Sequence, residues 1–206
     1  MASSPAPRWQ RLERDERREQ ILACASRLFS QRSYATVSTT EIAAEAGVAR
    51  GLLNHYFGTK RELFLEVVRT LVRTPAHPIP RSGEGVELET AIAEAADRWL
   101  DVIERNQGMW LAVIGAQGVG HDPEVEAILD EARERAAARL IGALGPDDGS
   151  DELKAVVRSY GGMAEVASVE WLKRGRLTRP QVRALVVQGF LSAVGEIRAA
   201  VESAQG

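Results

Sequence analysis

Residues 38 to 60 read Ser-Thr-Thr-Glu-Ile-Ala-Ala-Glu-Ala-Gly-Val-Ala-Arg-Gly-Leu-Leu-Asn-His-Tyr-Phe-Gly-Thr-Lys, two short helical patterns separated by a glycine. Ser38 and Glu41 have capping-box spacing: the hydroxyl accepts from the Glu41 amide while the carboxylate reaches back to the Ser38 amide, so a helix starts here. It is expected to end near Ala46. Gly47 can adopt the positive φ of a sharp inter-helix turn, and Val48 then plugs the corner against Ile42, Ala43 and Leu53. The second helix is expected over about Ala49 to Tyr56. Helix, glycine turn and helix in this order make a helix-turn-helix, the arrangement that lays its second helix in a DNA major groove.

Helical spacing puts Arg50, Gly51, Asn54 and His55 on the face of the second helix turned away from Val48 and Leu53. Those residue types suit base edges. Arginine bonds bidentately to guanine and asparagine to adenine, while a glycine lets the backbone come close. Leu52 shares the helix. Tyr56, Lys60 and the hydroxyls of Thr39 and Thr40 are expected at phosphate oxygens, which position a reader without specifying sequence. Thr59 and Glu62 repeat the capping signature after Gly58 and start another helix.

With these residues in view, Ala46-Gly47-Val48, Gly51, Leu53, His55-Tyr56-Phe57 and Lys60 resemble the signature of the TetR family of bacterial transcriptional regulators. The motif-level resemblance covers roughly residues 15 to 70, and the remainder agrees in length and helical character. Family members usually carry threonine at the Leu52 position and tyrosine at the Asn54 position. Those two departures bear on the operator sequence and leave the fold unaffected. The resemblance implies operator DNA, a homodimer and a small-molecule effector as partners. In similar regulators an effector moves the fourth helix and changes the separation of the two reading heads.

Charge is unevenly divided. Residues 1 to 73 hold 12 Lys and Arg against 8 Asp and Glu, a net of +4, whereas residues 74 to 206 hold 14 against 21, a net of −7. The overall −3 therefore hides a positive end that coincides with the helix-turn-helix. At 45% hydrophobic and 27% charged, the 206 residues can bury a core, which excludes disorder of the whole. Arg8 to Glu19 is charged throughout and lacks the apolar centre of an export signal, and Gly108 to Gly120 is shorter than the ~20 residues of a membrane span. A cytoplasmic location without membrane contact is expected. The single cysteine, Cys24, excludes an intrachain disulfide and reads as a small core residue.

The fold expected is all-α with about nine helices: a flexible arm over 1–13, a three-helix DNA-binding domain over 14–60 and a larger helical effector-binding and dimerisation domain over 61–206. Ile21, Leu22, Ala25, Leu28 and Phe29 repeat at helical spacing and give a first helix over about 14–31. Arg8, Arg11, Arg14, Arg17 and Arg18 at its start either follow the phosphate backbone or form a solvated helix end. Leu63-Phe64, Val67-Val68 and Leu71-Val72 make a fourth helix that stops before Pro75. Periodicity resumes from Leu88 to Ile103, is broken by glycines around Met109 to Gly120, and restarts at the N-cap Asp122 with Pro123 behind it, fading near Gly145. No strand-like alternation or solenoid-length repeat is visible.

Leu153, Val157, Tyr160, Ala164, Ala167 and Trp171 step by four and three, the seam of a helix that packs lengthwise, and Gly175 ends it. After the Thr178 and Gln181 capping pair, Val182, Leu185, Val186, Gly189, Phe190, Ala193, Val194 and Ile197 form a wide apolar stripe. The two stripes either bury inside one subunit or form half of an intersubunit four-helix bundle. A reading helix spans few base pairs, and two copies ~34 to 36 Å apart multiply affinity and specificity, which favours a twofold dimer on a palindromic operator.

Trp99, Ile103, Trp110, Val113, Ile114, Gln117, His121 and Met163 mix apolar bulk with a few polar handles, the composition of a small-molecule cavity or of ordinary core. The function expected is a transcriptional repressor released from its operator by a small, largely apolar ligand. An activator, a corepressor-dependent regulator or a helical ligand-binding protein without DNA function are the alternatives. An enzyme is disfavoured: His55, His77 and His121 are scattered without metal-ligand spacing, and no nucleophile elbow or P-loop occurs. Neither a metal nor a cofactor is expected.

Overall fold

The computed structural model describes residues 8–73, 79, 87–115, 122–145 and 151–205. Among them are nine helices and no strand: α1 (Arg8–Gln31), α2 (Thr39–Glu45), α3 (Arg50–Phe57), α4 (Lys60–Val72), α5 (Leu88–Arg105), α6 (Gln107–Val113), α7 (Pro123–Leu144), α8 (Asp151–Leu172) and α9 (Arg179–Gln205). The chain divides into two compact units at Leu71 and Val72. The first holds α1, α2, α3 and α4 as far as Leu71.

In the first unit, Ile21, Ala25, Leu28 and Phe29 of α1 are buried, as are Ile42 and Ala43 of α2, Leu53 and Phe57 of α3, and Leu63, Val67 and Val68 of α4. α1 begins at Arg8, six residues before the expected start, so only residues 1–7 of the anticipated arm precede it. Arg8 to Glu19 offers few apolar positions, and a period-based reading therefore misses helix made of charged residues. Cys24 is half-buried on this helix. Phe29, Tyr34 and Phe64 pack as an aromatic cluster, with Phe29 edge-on to Phe64 at 5.2 Å between ring centroids and Tyr34 4.9 Å from Phe64.

The caps form as their spacing predicts. Ser38 Oγ accepts from the Glu41 amide at 3.1 Å, and Glu41 returns the bond to the Ser38 amide. At α4 the Thr59 amide donates to Glu62 Oε2 at 2.7 Å and the Glu62 amide to Thr59 Oγ1 at 3.1 Å. Bonds to the Glu62 carboxylate lower its pKa, the Thr59 backbone amide first and the Thr59 hydroxyl second. Gly58 is required there by its φ of +68°, and a Cβ would also crowd the Glu62 carboxylate. Asp122 caps α7 by accepting from the Glu124 and Val125 amides, with Pro123 in the first turn.

In the second unit, α8 and α9 pack lengthwise, and α5 and α7 join them around Ile92, Ala96, Ala137, Leu144, Leu153, Val157, Val187, Phe190 and Val194. Two polar clasps tie these helices together. Arg133 of α7 reaches Glu165 of α8 through two bonds of 2.9 Å and meets Glu126 and Asp130 at 2.7 and 2.8 Å. Arg183 of α9 holds Asp97 of α5 at 2.9 and 3.0 Å, and Arg179 holds Asp101 at 2.5 Å. The glycine-broken segment contains α6, the sixth helix of the expected count. Its Met109, Trp110, Leu111 and Val113 are all buried, so no amphipathic period marks it.

Of the expected dimerisation set, Leu153, Val157, Ala167, Val182, Phe190 and Val194 are buried within the single chain. Tyr160 meets Phe190 edge-on at 6.2 Å, and Gly189 gives Tyr160 room, since a Cβ there would lie 3.0 Å from the ring. Ala164, Trp171, Val186, Ala193 and Ile197 are half-buried. Among the described residues the exposed large apolar side chains are Leu185 at 44% and Val166 at 63%, the latter missed by the seam pattern.

Candidate nucleic-acid interface

The reading head is built outward from its buried side. Leu53 is fully buried and Phe57 nearly so, which fixes the rotation of α3 and turns Arg50, Gly51, Asn54 and His55 to solvent. Leu52 and Tyr56 are half-buried at the edges of that face. The turn before α3 is made by Gly47 at φ +64°, where no other atom crowds a Cβ, so only the backbone conformation demands glycine. Val48, half-buried, donates its amide to the Ala43 carbonyl at 2.9 Å and closes the corner. Thr39 and Thr40 stand in the first turn of α2, half-buried and exposed respectively.

Lys60, expected at a phosphate, and Arg18, read as either following the phosphate backbone or ending the helix in solvent, both engage neighbours within the chain. Lys60 donates to the Tyr34 carbonyl, and its Nζ lies 4.3 Å from the centre of the Tyr34 ring. Desolvation lowers its pKa. Arg18 bonds Glu66 at 2.7 Å, with its guanidinium 5.0 Å from the centre of the Phe57 ring. Tyr34 has no motif spacing, and its part in this cluster comes from the α1–α2 turn folding back. Arg32 fastens that turn by donating to the Thr36 carbonyl at 2.6 Å and pairing with Glu41.

In the second unit, Trp99 and Trp110 of the expected effector set meet edge-on at 5.9 Å. Ile103, Trp110 and Val113 are buried, whereas Trp99, Ile114 and Met163 are half-buried. The polar handle of Trp110 is engaged within the chain: its Nε1 donates to Ser168 Oγ at 2.8 Å, and Ser168 donates on to the Glu165 carbonyl at 2.6 Å. Gln117 and His121 lie outside the described residues. No group of three or more potential metal ligands occurs among the described residues. No described helix is long and apolar enough to cross a membrane.

Residues 21–67 match the family described as "Bacterial regulatory proteins, tetR family", and residues 88–198, more than half of the chain, match "Tetracyclin repressor-like, C-terminal domain". The chain belongs to the TetR family. Its relatives are transcriptional regulators and not enzymes. HTH-type transcriptional regulator HbdR of Aromatoleum sp. is 39% identical over 72 residues, 35% of this chain and 31% of that protein, so the likeness spans under a third of HbdR. HTH-type transcriptional activator FasR of Mycolicibacterium smegmatis is 28% identical over 172 residues, 82% of this chain and 78% of FasR. Among solved structures, a tetR-family transcriptional regulator from Streptomyces coelicolor superposes with a TM-score of 0.76 at 27% identity, covering 91% of this chain and 83% of that one. This TetR-family chain is accordingly a DNA-binding transcriptional regulator of the helix-turn-helix kind.

Proposed function

We propose that the protein is a homodimeric repressor that reads a palindromic operator with α3 and leaves it when a small, largely apolar molecule binds the second unit. The observation that carries the DNA reading is the exposed row Arg50, Gly51 and Asn54 on a helix whose opposite face is anchored by Leu53 and Phe57. Arg50 reads guanine and Asn54 adenine, while Gly51 admits the base edge. Leu52 and His55 contribute at the margins, and Thr39, Thr40 and Tyr56 hold phosphates. Trp99, Ile103, Trp110, Val113, Ile114 and Met163 supply the apolar surroundings of the effector. Weakening operator affinity a hundredfold requires ~2.7 kcal/mol of coupling, and DNA must weaken effector binding by the same factor.

Selecting bound fragments from random duplexes tests the reading. A palindromic consensus is expected, with Arg50→Ala and Asn54→Ala each relaxing preference at about one position per half-site, at a cost of ~1 to 3 kcal/mol. An asymmetric or featureless selection would contradict it. FasR, which spans most of the chain, is named an activator, and that favours activation as the second reading. Transcription from a promoter carrying the selected site separates the two: the purified protein lowers the output if it represses and raises it if it activates.

A further inference from the structure

Resting on that DNA-reading proposal, we infer that Lys60 is a positioning residue, which sets the attitude of the reading helix by clasping Tyr34 and makes no phosphate contact. Three observations meet here. The ammonium donates to the Tyr34 carbonyl and lies 4.3 Å from the ring centre, so both its charge and a proton are directed at one residue of the α1–α2 turn. That ring is itself wedged between Phe29 at 5.9 Å and Phe64 at 4.9 Å, which makes it a rigid platform. Partial desolvation lowers the pKa of this half-buried Lys60, in keeping with an ammonium held beside an aromatic face.

The clasp sits where it governs α3. Phe57 ends that helix, and Gly58 and Thr59 separate it from Lys60, the first residue of α4. The Arg18 guanidinium lies 5.0 Å from the Phe57 ring centre on the same short stretch and pairs with Glu66. Two cations thus pin the exit of the reading helix, Arg18 from α1 and Lys60 through the α1–α2 turn. Release of Lys60 frees that exit to tilt. Base contacts, which depend on angle, then weaken more than the phosphate attraction, which does not.

The test uses the full chain and a duplex selected by the wild type, comparing Lys60→Met, Tyr34→Leu, their double variant and Tyr34→Phe. Two quantities are read: the affinity ratio between the selected and a scrambled duplex, and the slope of log affinity against log salt. Lys60→Met and Tyr34→Leu are each expected to lower the ratio roughly 10-fold, the double variant by no more than either, with slopes equal to the wild type. Tyr34→Phe keeps the platform and should behave as the wild type. A slope reduced by ~0.9 per subunit in Lys60→Met, with its ratio intact and Tyr34→Leu silent, would overturn the inference in favour of a phosphate contact. A lowered unfolding midpoint with an unchanged ratio would overturn it as well. Should Lys60→Met fail to fold, Tyr34→Leu decides alone: a reduced ratio at constant slope supports the clasp, and wild-type binding refutes it. A wild type indifferent to every duplex would instead remove the underlying DNA reading.

Discussion

Gly51 separates what a residue does for its own fold from what it does for a partner. It lies in the first turn of α3, and a Cβ built on it meets no atom within 4 Å, so nothing inside the chain explains the missing side chain. A helical glycine costs ~0.5 to 1 kcal/mol relative to alanine. Gly51→Ala is therefore expected to raise the unfolding midpoint while weakening binding to the selected duplex, because the added methyl stands where a base edge approaches. Improved stability with unchanged binding would show that α3 does not approach DNA through this residue. Gly47 has the same open surroundings but a φ of +64°, so alanine there is strained and should destabilise by ~1 to 2 kcal/mol in a denaturant titration.

Among the elements, those with a local punctuation mark were legible in the sequence. Ser38 with Glu41, Thr59 with Glu62, and Asp122 with Pro123 start α2, α4 and α7 where their spacing says, because a cap is decided by residues no more than three apart. The first turns of α1 escaped, since Arg8 to Glu19 is rich in charge and poor in the apolar positions that reveal a helical period. Of the site, the exposure of Arg50, Gly51 and Asn54 followed from one helical period, whereas Lys60 facing Tyr34 depends on a loop folding back across 26 residues. The α4 cap has a pH signature. The Glu62 carboxylate is held below its ordinary pKa, so its contribution is full above the usual carboxylate range and is lost as pH falls through the lowered folded value. Unfolding midpoints measured from about pH 5 downwards should decline, and Glu62→Gln should flatten that decline. An equally steep acid dependence in Glu62→Gln would assign it to other carboxylates. In the second unit Arg133 gathers Glu165, Glu126 and Asp130, and Arg133→Leu would leave three carboxylates facing one another. A loss of ~1.5 to 3 kcal/mol is expected, shrinking as added salt screens the repulsion, and a midpoint unchanged at low salt would refute the clasp.

At the scale of the whole molecule, a dimer must be built from apolar surface that the single chain leaves uncovered. Leu153, Val157, Ala167, Val182, Phe190 and Val194 of the two stripes do not qualify, because they are buried inside the single chain, whereas Leu185 of the same set is exposed. Val166 on α8 and Leu185 on α9 do qualify: on the helical period each lies on the side away from its helix's buried positions, and both are exposed. Val166→Asp and Leu185→Asp add charge to solvent-facing sites, so each chain should keep its helical content and unfolding midpoint to within ~0.5 kcal/mol. If those faces meet a second copy, a buried unpaired carboxylate opposes association strongly. Sedimentation of the wild type at twice the chain mass, falling to the chain mass in the double variant, is the outcome expected. The operator footprint should then contract from two half-sites to weak protection of one, and the salt slope should fall by half along with the phosphate contacts. A double variant that still sediments as a dimer would move the interface elsewhere on the second unit, since the charges would have gone into water.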